Sequence, residues 1–223
     1  MPTQAVEDYL KAVFMLGAAG EQVTTTAVAR RLGVAAPSAS AMVKRLVGEG
    51  LLDHEPYGEV RLTAEGEQRA LRVVRRHRLV ETFLNRVLGM PWDEVHDEAE
   101  LLDHVISERL ERQIAAALGD PDRDPHGDPI PPLVGAHEER DRDHPPLAGT
   151  PAGTRVRVER VAHQEPEALR YLAGLGVVPG AELVVGEEAP FGGPVWVDTG
   201  DARHALGAEL AREILVSVVG GAR

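Results

Sequence analysis

The chain has 223 residues, a formal net charge of −12 and no cysteine, so disulfides, thiolate metal ligands and cysteine nucleophiles are excluded. No apolar run reaches the roughly 18 residues that a membrane-spanning helix needs. The first residues also lack the basic and then apolar layout of a signal peptide. We therefore expect a cytoplasmic protein with no membrane partner.

The charge is unevenly distributed along the chain. In the first 76 residues, Lys and Arg almost balance Asp and Glu, so the remaining residues carry nearly all of the negative charge. A near-neutral segment with clustered basic residues can contact phosphates while the rest of the protein stays acidic. The acidic total therefore does not exclude a nucleic-acid partner.

The first part of the sequence predicts three helices followed by a hairpin. Apolar residues at helical spacing over 6–16 indicate an amphipathic first helix. Thr24 can cap a short second helix, and Pro37 fits the first turn of a third helix. Two short β-compatible runs then flank the turn residues 56–58. This order is that of a winged helix-turn-helix domain, which we assign to residues 1–70.

The third helix of this domain is suited to the major groove of DNA. It begins with small side chains, whose hydroxyl and methyl groups can contact phosphates, base edges and thymine methyl groups. Basic side chains of this helix, the preceding helix and the hairpin supply positive charge for the DNA backbone. The candidate DNA-binding residues are Thr25, Arg30, Ala35, Pro37, Ser38, Ser40, Ala41, Lys44, Arg45 and Arg61. The alternative is a structural helical domain whose basic residues face water.

The remaining sequence predicts a helical domain and a small β domain. Thr63 can cap a long helix, and a second helix is expected from residue 93 or 94 to Leu118. We assign 71–140 to the helical domain, and the Pro-, Gly- and Asp-rich composition of 119–150 indicates a linker. Short alternating apolar runs separated by Gly-rich turns then predict a small β-barrel or sandwich over 151–223.

Carboxylate and histidine side chains recur at ligand spacing in the helical domain. Glu100, Asp103 and His104 are spaced i, i+3 and i+4 on a predicted helix, so they share one face. His77 and Glu81 are one turn apart on the preceding helix. Burying such a polar set is costly unless a cation satisfies it. The alternative is a set of solvated helix faces, in which Glu81 pairs with one of the arginines beside His77.

The chemistry of the candidate ligands limits which metal ions they would bind. Asp8 lies among core-facing neighbours on the first helix and adds a third carboxylate. Three carboxylates and an imidazole without sulfur form a hard-to-borderline set, which suits Mn(II) and tolerates Fe(II). A sulfur-based structural zinc site cannot form without cysteine.

At these residues the chain resembles the diphtheria-toxin-repressor family of metalloregulators, which includes iron-dependent and manganese-dependent repressors. The resemblance covers nearly the whole chain and is carried by VEDYLKAVFML, VAAPSASAMVKRL, VRRHRLVETFL, VHDEAELLDHVIS and DPHGDPIP. It implies an α+β fold with an N-terminal winged helix-turn-helix, a helical dimerisation domain that carries the metal sites, and a C-terminal SH3-like small β-barrel. It also implies a homodimer that binds palindromic operator DNA when loaded with metal, represses transcription and controls metal-ion homeostasis.

The resemblance assigns two metal sites to each subunit, and the first is the primary regulatory site. Its ligands would be Asp8, Glu100, Asp103 and His104. The iron-sensing branch has Met and Cys at the positions of Asp8 and Glu100, whereas the manganese branch has carboxylates, as here. We therefore expect Mn(II) as the cofactor, with an iron(II)-dependent repressor of the same family as the alternative.

The residues of the second, ancillary site match the family pattern less well. The resemblance implies His77, Glu81 and His96, completed by Glu165 from the SH3-like domain. The family also supplies a Gln, where this chain has Ala168, so Gln164 or His163 are alternative ligands. Short manganese sensors have an acidic residue where this chain has Lys11, and this difference favours two separated sites.

Two other classes of function use the same features. A metalloenzyme could activate water with the carboxylate and histidine set, but no Gly-rich phosphate loop or nucleophile motif is present. We therefore expect neither enzyme activity nor a small-molecule substrate. A metal-independent winged-helix regulator would instead bind a small molecule in the C-terminal domain. Undiminished operator binding after Asp8→Ala or His104→Ala would favour that regulator.

Overall fold

The structure is a computed structural model that describes residues 4–54, 58–133, 144–162 and 165–220. The chain divides into two compact units. The first comprises Met1–His77 and Pro131–His137, and the second comprises Arg78–Ile130 and Glu138–Arg223. Among the described residues, no helix is both long enough and apolar enough to span a bilayer.

The first unit has the predicted order of three helices and a hairpin. Its elements are α1 (Gln4–Ala18), α2 (Thr25–Arg31), α3 (Ala36–Gly48), β1 (Leu52–His54) and β2 (Val60–Leu62). The side chain of Thr24 accepts a hydrogen bond from the Ala27 amide at 3.1 Å, so the predicted cap of α2 is confirmed. The two strands pair antiparallel, with Leu52 opposite Leu62. Of the predicted turn residues 56–58, the first two lie outside the described residues.

One hydrophobic core joins these elements. The apolar stripe of α1 packs against α2 and α3, and Leu10, Val28, Ala39 and Leu46 are fully buried. Because α3 buries only part of its surface in this core, most of its first turn faces solvent. That exposure leaves the start of α3 accessible to a partner.

The predicted second long helix is two helices in the structure. Helix α4 (Ala64–Arg86) is followed by α5 (Val95–Leu102) and α6 (Glu108–Ala117), so the expectation of one helix from 93 or 94 to 118 was wrong. The hydroxyl of Ser107 accepts a hydrogen bond from the Leu110 amide at 3.2 Å and starts α6 anew. The serine hydroxyl bonds to a backbone amide that would otherwise bond within a continuous helix, so it favours a new helix start. The spacing of apolar residues does not reveal this effect.

Part of the predicted linker is folded. Asp124, His126 and Asp128 are all at least 96% buried, although they lie in the Pro- and Gly-rich stretch. The Asp124 carboxylate accepts hydrogen bonds from the amides of His126 and Asp128 at 2.8 and 2.9 Å. We call residues 123–130 the acidic loop. Its order comes from hydrogen bonds and ion pairs, which is why an argument from apolar burial missed it.

The C-terminal part of the second unit is built on one antiparallel sheet. Its elements are β3 (Arg155–Val161), α7 (Pro166–Gly174), β4 (Glu182–Glu188), β5 (Val195–Asp198), β6 (Arg203–Leu206), α8 (Ala208–Arg212) and β7 (Ile214–Val218). The strand order is β6-β5-β4-β3-β7. Four of these strands correspond to the predicted apolar runs, whereas β6 and both short helices were not predicted. Val156, Val158, Leu183 and Ile214 are among the buried core residues.

Candidate metal centre and DNA interface

Three of the four predicted primary ligands come together in the second unit. Glu100 lies in α5, Asp103 caps the end of that helix and His104 follows in the next turn. Ligand atoms from the three side chains lie within 4.8 Å of one another. The Asp103 side chain is 1% exposed, and one of its oxygens is 3.2 Å from Nε2 of His104. Two carboxylates and an imidazole at this spacing can hold a divalent cation.

His96 connects this group to a residue of the predicted ancillary set. Its Nδ1 is 3.0 Å from a carboxylate oxygen of Glu81, and its Nε2 is 3.8 Å from a carboxylate oxygen of Glu100. Glu81 is almost completely buried in α4, whereas His96 is partly exposed. The two sets predicted as separate sites are therefore neighbours, with the His96 ring between Glu81 and Glu100.

His77 has a neighbour that the sequence argument did not anticipate. It lies one helical turn before Glu81 on α4 and is buried. In the first unit, the Lys11 ammonium nitrogen lies 3.0 Å from Nδ1 of His77. An ammonium group only donates hydrogen bonds, so this ring nitrogen is the acceptor.

The other predicted ligands occupy separate elements. Asp8 lies on α1 in the first unit and is partly buried. Glu165 is an exposed residue immediately before α7, and Ala168 lies within that helix. Within the described part of the chain, Glu165 joins none of the groups of three ligand atoms within 4.8 Å. His163 and Gln164, the alternatives for the family Gln that Ala168 replaces, lie outside the described residues.

The sequence analysis did not identify two residues of the acidic loop, Asp124 and His126, whose side chains carry possible metal-ligand atoms. Ligand atoms of Glu81, Asp124 and His126 lie within 4.8 Å of one another, and all three residues are buried. Burial of Asp124, reinforced by the negative charges of Asp128 and Glu81, raises the pKa of its carboxyl group well above the ordinary value. The DPHGDPIP stretch contains both residues and carries part of the family resemblance, but its composition favoured a linker, and neither residue was assigned as a ligand.

Most of the candidate DNA-binding residues are exposed. Ala35, Pro37, Ser38, Ser40 and Ala41 at the start of α3 face solvent, as do Lys44 and the three arginines, while Thr25 is partly buried. Each of these arginines has an acidic neighbour. Arg30 pairs with Glu21 at 3.4 Å, Arg45 with Glu49 at 2.7 Å and Arg61 with Glu59 at 3.0 Å. Phosphates would therefore have to displace carboxylates from these side chains.

Comparison with known proteins decides the family. Three family models match in succession: the iron-dependent repressor N-terminal DNA-binding domain over residues 1–60, the iron-dependent repressor metal-binding and dimerisation domain over 63–132, and the FeoA domain over 146–218. The iron-dependent repressor IdeR of Mycobacterium tuberculosis is 34% identical over 96% of both chains. The chain belongs to the diphtheria-toxin-repressor family.

Members of this family are metal-dependent transcriptional repressors and not enzymes, so the metalloenzyme and the metal-independent regulator are both excluded. The predicted fold class, with a DNA-binding domain, a helical dimerisation region and a C-terminal SH3-like domain, is confirmed. Two solved structures show the same architecture. A manganese-dependent transcriptional repressor in complex with manganese has a TM-score of 0.86 and 40% identity, covering 96% of this chain and 100% of the other. The manganese regulator SloR has a TM-score of 0.78 and 29% identity, covering 98% and 99%.

Proposed function

We propose that this repressor is activated by Mn(II), binds palindromic operator DNA as a homodimer when loaded, and thereby controls metal-ion homeostasis. The observation that carries the proposal is the oxygen- and nitrogen-only group of Glu100, Asp103 and His104, within 4.8 Å of one another. Such donors favour Mn(II) over the softer, thiol-seeking ions. One structural relative, named above, is a manganese-dependent transcriptional repressor in complex with manganese.

The family resemblance makes Asp8 the fourth ligand of this primary site. A bound Mn(II) supplies positive charge that makes the burial of Asp103 and the clustering of carboxylates favourable. Asp103 supplies a preformed carboxylate because its side chain is almost fully buried. Its position at the end of α5 fixes the distance to Glu100, one turn earlier on that helix.

An ancillary ion would use the residues on the other side of His96. We assign His77, Glu81 and His96 to it, with Glu165 as the ligand from the SH3-like domain. Support comes from the 3.0 Å contact between His96 and Glu81 and from the one-turn spacing of His77 and Glu81 on α4. In this proposal His96 belongs to the ancillary ion, and Glu100 competes with that ion for the His96 Nε2 atom.

The exposed start of α3 is the part that would enter the major groove. Small side chains there permit close approach of the helix, and Ser38 and Ser40 supply hydroxyl groups for DNA phosphates or base edges. Lys44 and Arg45 on the same helix would contact the phosphate backbone. A homodimer presents two such helices, and it therefore matches an operator with two related half-sites.

An exposed apolar surface on α5 and the following turn supports the homodimer. Leu101 and Val105 are 71% and 74% exposed, and Leu110 on α6 is also exposed. Apolar side chains grouped in this way mark protein–protein interfaces. The matched family domain is itself described as a dimerisation domain.

The deciding experiment is an anaerobic titration of DNA binding with Mn(II), Fe(II) and Zn(II). The DNA would be a duplex selected from a random library by the Mn(II)-loaded protein, and binding would be followed by fluorescence anisotropy. We expect Mn(II) to activate binding and a chelator to reverse it. Activation by Fe(II) at a lower free concentration than Mn(II), or binding that a chelator leaves unchanged, would overturn the proposal.

A matched pair of variants tests the ligand group. Asp103→Asn removes a buried carboxylate charge at nearly constant volume, whereas Glu98→Gln removes an exposed one from the same helix. We expect the first variant to need at least tenfold more Mn(II) for half-maximal DNA binding, and the second to behave like the unmodified protein. Equal activation of both variants would contradict the assignment.

A further inference from the structure

Phe191 is a fully exposed aromatic residue at the tip of the hairpin that joins β4 and β5. Its relative exposure is 107%, so none of the described residues covers its ring. The other two phenylalanines of the chain, Phe14 and Phe83, pack against hydrophobic cores. Single exposed apolar residues are common on protein surfaces, and exposure alone therefore assigns no role to Phe191.

The backbone of the hairpin tip holds Phe191 in a conformation that phenylalanine rarely adopts. Its φ is +61°, and that of the following Gly192 is +73°. The amide of Gly193 donates hydrogen bonds to the carbonyl oxygens of Ala189 and Pro190 at 3.2 and 3.3 Å, which closes the turn. Asn or Gly fits such a turn without strain. Because residues in strained conformations cluster at functional sites, the strain indicates a role for the exposed ring.

A second aromatic side chain lies two residues beyond the tip, on the outer face of the sheet. Trp196 is partly exposed, whereas its neighbours Val195 and Val197 on β5 are buried. The guanidinium group of Arg203 on β6 lies 4.9 Å from the centroid of the Trp196 ring. Tryptophan and arginine are enriched among the residues that contribute most to binding at protein interfaces. We call Phe191, Trp196 and Arg203 the hairpin surface.

The segment that carries the aromatic part of this surface is acidic. Residues 182–202 contain five acidic residues and no lysine or arginine. One of the five, Glu182, pairs with Arg157 on β3 at 3.0 Å. Glu187 and Glu188 lie just before the hairpin tip, and both are exposed. Two carboxylates beside an exposed ring are complementary to a partner with basic side chains around an apolar pocket.

The same charges disfavour other occupants of the hairpin surface. A second copy of the chain would bring the carboxylates of two hairpins together, and DNA phosphates would also be repelled. Segments that bind the surface of anionic membranes carry lysine and arginine beside their apolar side chains, whereas 182–202 carries neither. The charge pattern therefore favours a basic protein over a second copy, a nucleic acid or a lipid surface.

We propose that the hairpin surface docks a second protein, in which basic side chains surround an apolar pocket that receives the Phe191 ring. The closed turn presents the ring, and Glu187 and Glu188 supply the complementary charge. This interaction goes beyond the proposed function, because it requires neither a bound metal ion nor DNA. Its residues also differ from the candidate DNA-binding residues and from the exposed apolar residues around α5.

The first test separates a docking role for Phe191 from a structural one. Asn accepts the left-handed conformation, so Phe191→Asn removes the ring and keeps the turn. We expect the melting temperature of the full-length variant to equal or exceed that of the unmodified protein. A clearly lower melting temperature would mean that the ring stabilises its own chain, and it would overturn the proposal.

The second test identifies the partner and measures its binding. The photo-crosslinking residue p-benzoylphenylalanine would replace Phe191 in cells that naturally produce this repressor, with the same replacement of Val218, an exposed residue of β7, as the matched control. A protein crosslinked from position 191 alone would be purified and its affinity measured by biolayer interferometry. We expect Phe191→Asn to weaken binding roughly tenfold or more, as loss of an anchoring aromatic residue does. Glu187→Gln combined with Glu188→Gln should weaken binding and reduce its salt dependence.

Three results of the second test would overturn the proposal: no protein crosslinked specifically from position 191, a crosslink to a second copy of this chain, or a partner whose affinity Phe191→Asn leaves unchanged. Flotation with vesicles of phosphatidylcholine and phosphatidylglycerol tests a lipid surface. Vesicle binding that Phe191→Asn abolishes would likewise contradict protein docking. DNA binding reports separately on the proposed function, since Phe191→Asn should leave its response to Mn(II) unchanged.

Discussion

The ammonium nitrogen of Lys11 lies 3.0 Å from Nδ1 of His77, on a histidine that the family resemblance places among the ancillary metal ligands. The neutral His77 ring then carries its proton on Nε2, so neither nitrogen is ready to bind a metal ion. The positive charge of Lys11 would also repel a metal cation that approaches His77. The resemblance to short manganese sensors would place an acidic residue at this position. Here the residue is Lys11, and its ammonium group contacts His77.

Replacing this lysine should strengthen metal binding. Lys11→Met keeps the apolar stem but removes the charge and the donor, so we expect the weaker Mn(II) site to bind roughly tenfold more tightly, equivalent to about 1.4 kcal/mol. Calorimetric titration with Mn(II) would measure the change. The chain has one other lysine, and Lys44→Met on α3 is the matched control, which should weaken DNA binding and leave Mn(II) affinity unchanged. Identical Mn(II) affinity in both variants would count against a role for His77 as a ligand.

Releasing an arginine from its acidic neighbour should tighten DNA binding. Arg45 and Glu49 form an exposed pair at 2.7 Å on α3. Exposed pairs of this kind contribute at most about 1 kcal/mol, so Glu49→Gln should raise DNA affinity by no more than roughly fivefold, measured by anisotropy at fixed salt. Glu65→Gln breaks a similar i, i+4 pair with Arg69 on α4 and should have no effect. A gain of equal size from Glu65→Gln would indicate a general charge effect.

The exposed apolar surface around α5 should control the oligomeric state. Leu101→Asp places a charge where the side chain is 71% exposed in the single chain. We expect a monomer by light scattering at micromolar concentration, with loss of tight operator binding, because burying an unpaired charge in an interface is costly. Phe191→Asp alters an even more exposed apolar residue in the SH3-like domain and should leave the dimer intact. A dimeric Leu101→Asp protein would place the interface elsewhere.

The raised pKa of the Asp124 carboxyl predicts a pH-dependent stability difference in metal-free protein. Because the folded protein binds this proton more tightly than the unfolded chain does, Asp124 contributes stability at low pH. It loses that contribution as pH rises through the folded-state pKa. Asp124→Asn cannot ionise, so its melting temperature relative to the unmodified protein should increase with pH. Thermal unfolding in excess chelator from acidic to neutral pH would measure this, with the exposed Asp97→Asn as control. A difference that shrinks with rising pH would refute the sign.

Glycine at position 127 is required by both conformation and space. Its φ is +87°, and an added Cβ would overlap the carbonyl oxygen of Glu159 on β3. Gly119 has a similar φ of +75° but open space around it. Gly119→Ala should therefore cost only about 1 kcal/mol of unfolding free energy from backbone strain. Gly127→Ala should cost at least about 2 kcal/mol more in chemical denaturation, because the overlap falls on backbone. Equal destabilisation would mean that the acidic loop does not pack closely against β3.

Capping residues in the sequence correctly predicted where two helices begin, because a cap depends only on residues close by in the chain. Thr24 and Thr63 accept hydrogen bonds from the amides of Ala27 and Gly66, as the capping patterns indicated. The break before Ser107 is also local, but uninterrupted helical periodicity obscured it. The acidic loop could not be predicted this way, because its order depends on arginines distant in sequence. Arg78 and Arg160 both contact Asp128, and neither contact can be inferred from the sequence of residues 123–130 alone.

The stacking of His126 on Trp92 also gives the protein an internal optical reporter. The chain has two tryptophans, and the second, Trp196, lies under the guanidinium group of Arg203 at 4.9 Å in the SH3-like domain. The emission of Trp92 should therefore respond to the electronic state of the neighbouring imidazole, whereas that of Trp196 serves as an internal reference. A rearrangement of the acidic loop can thus be followed in real time by fluorescence, without a label and without DNA.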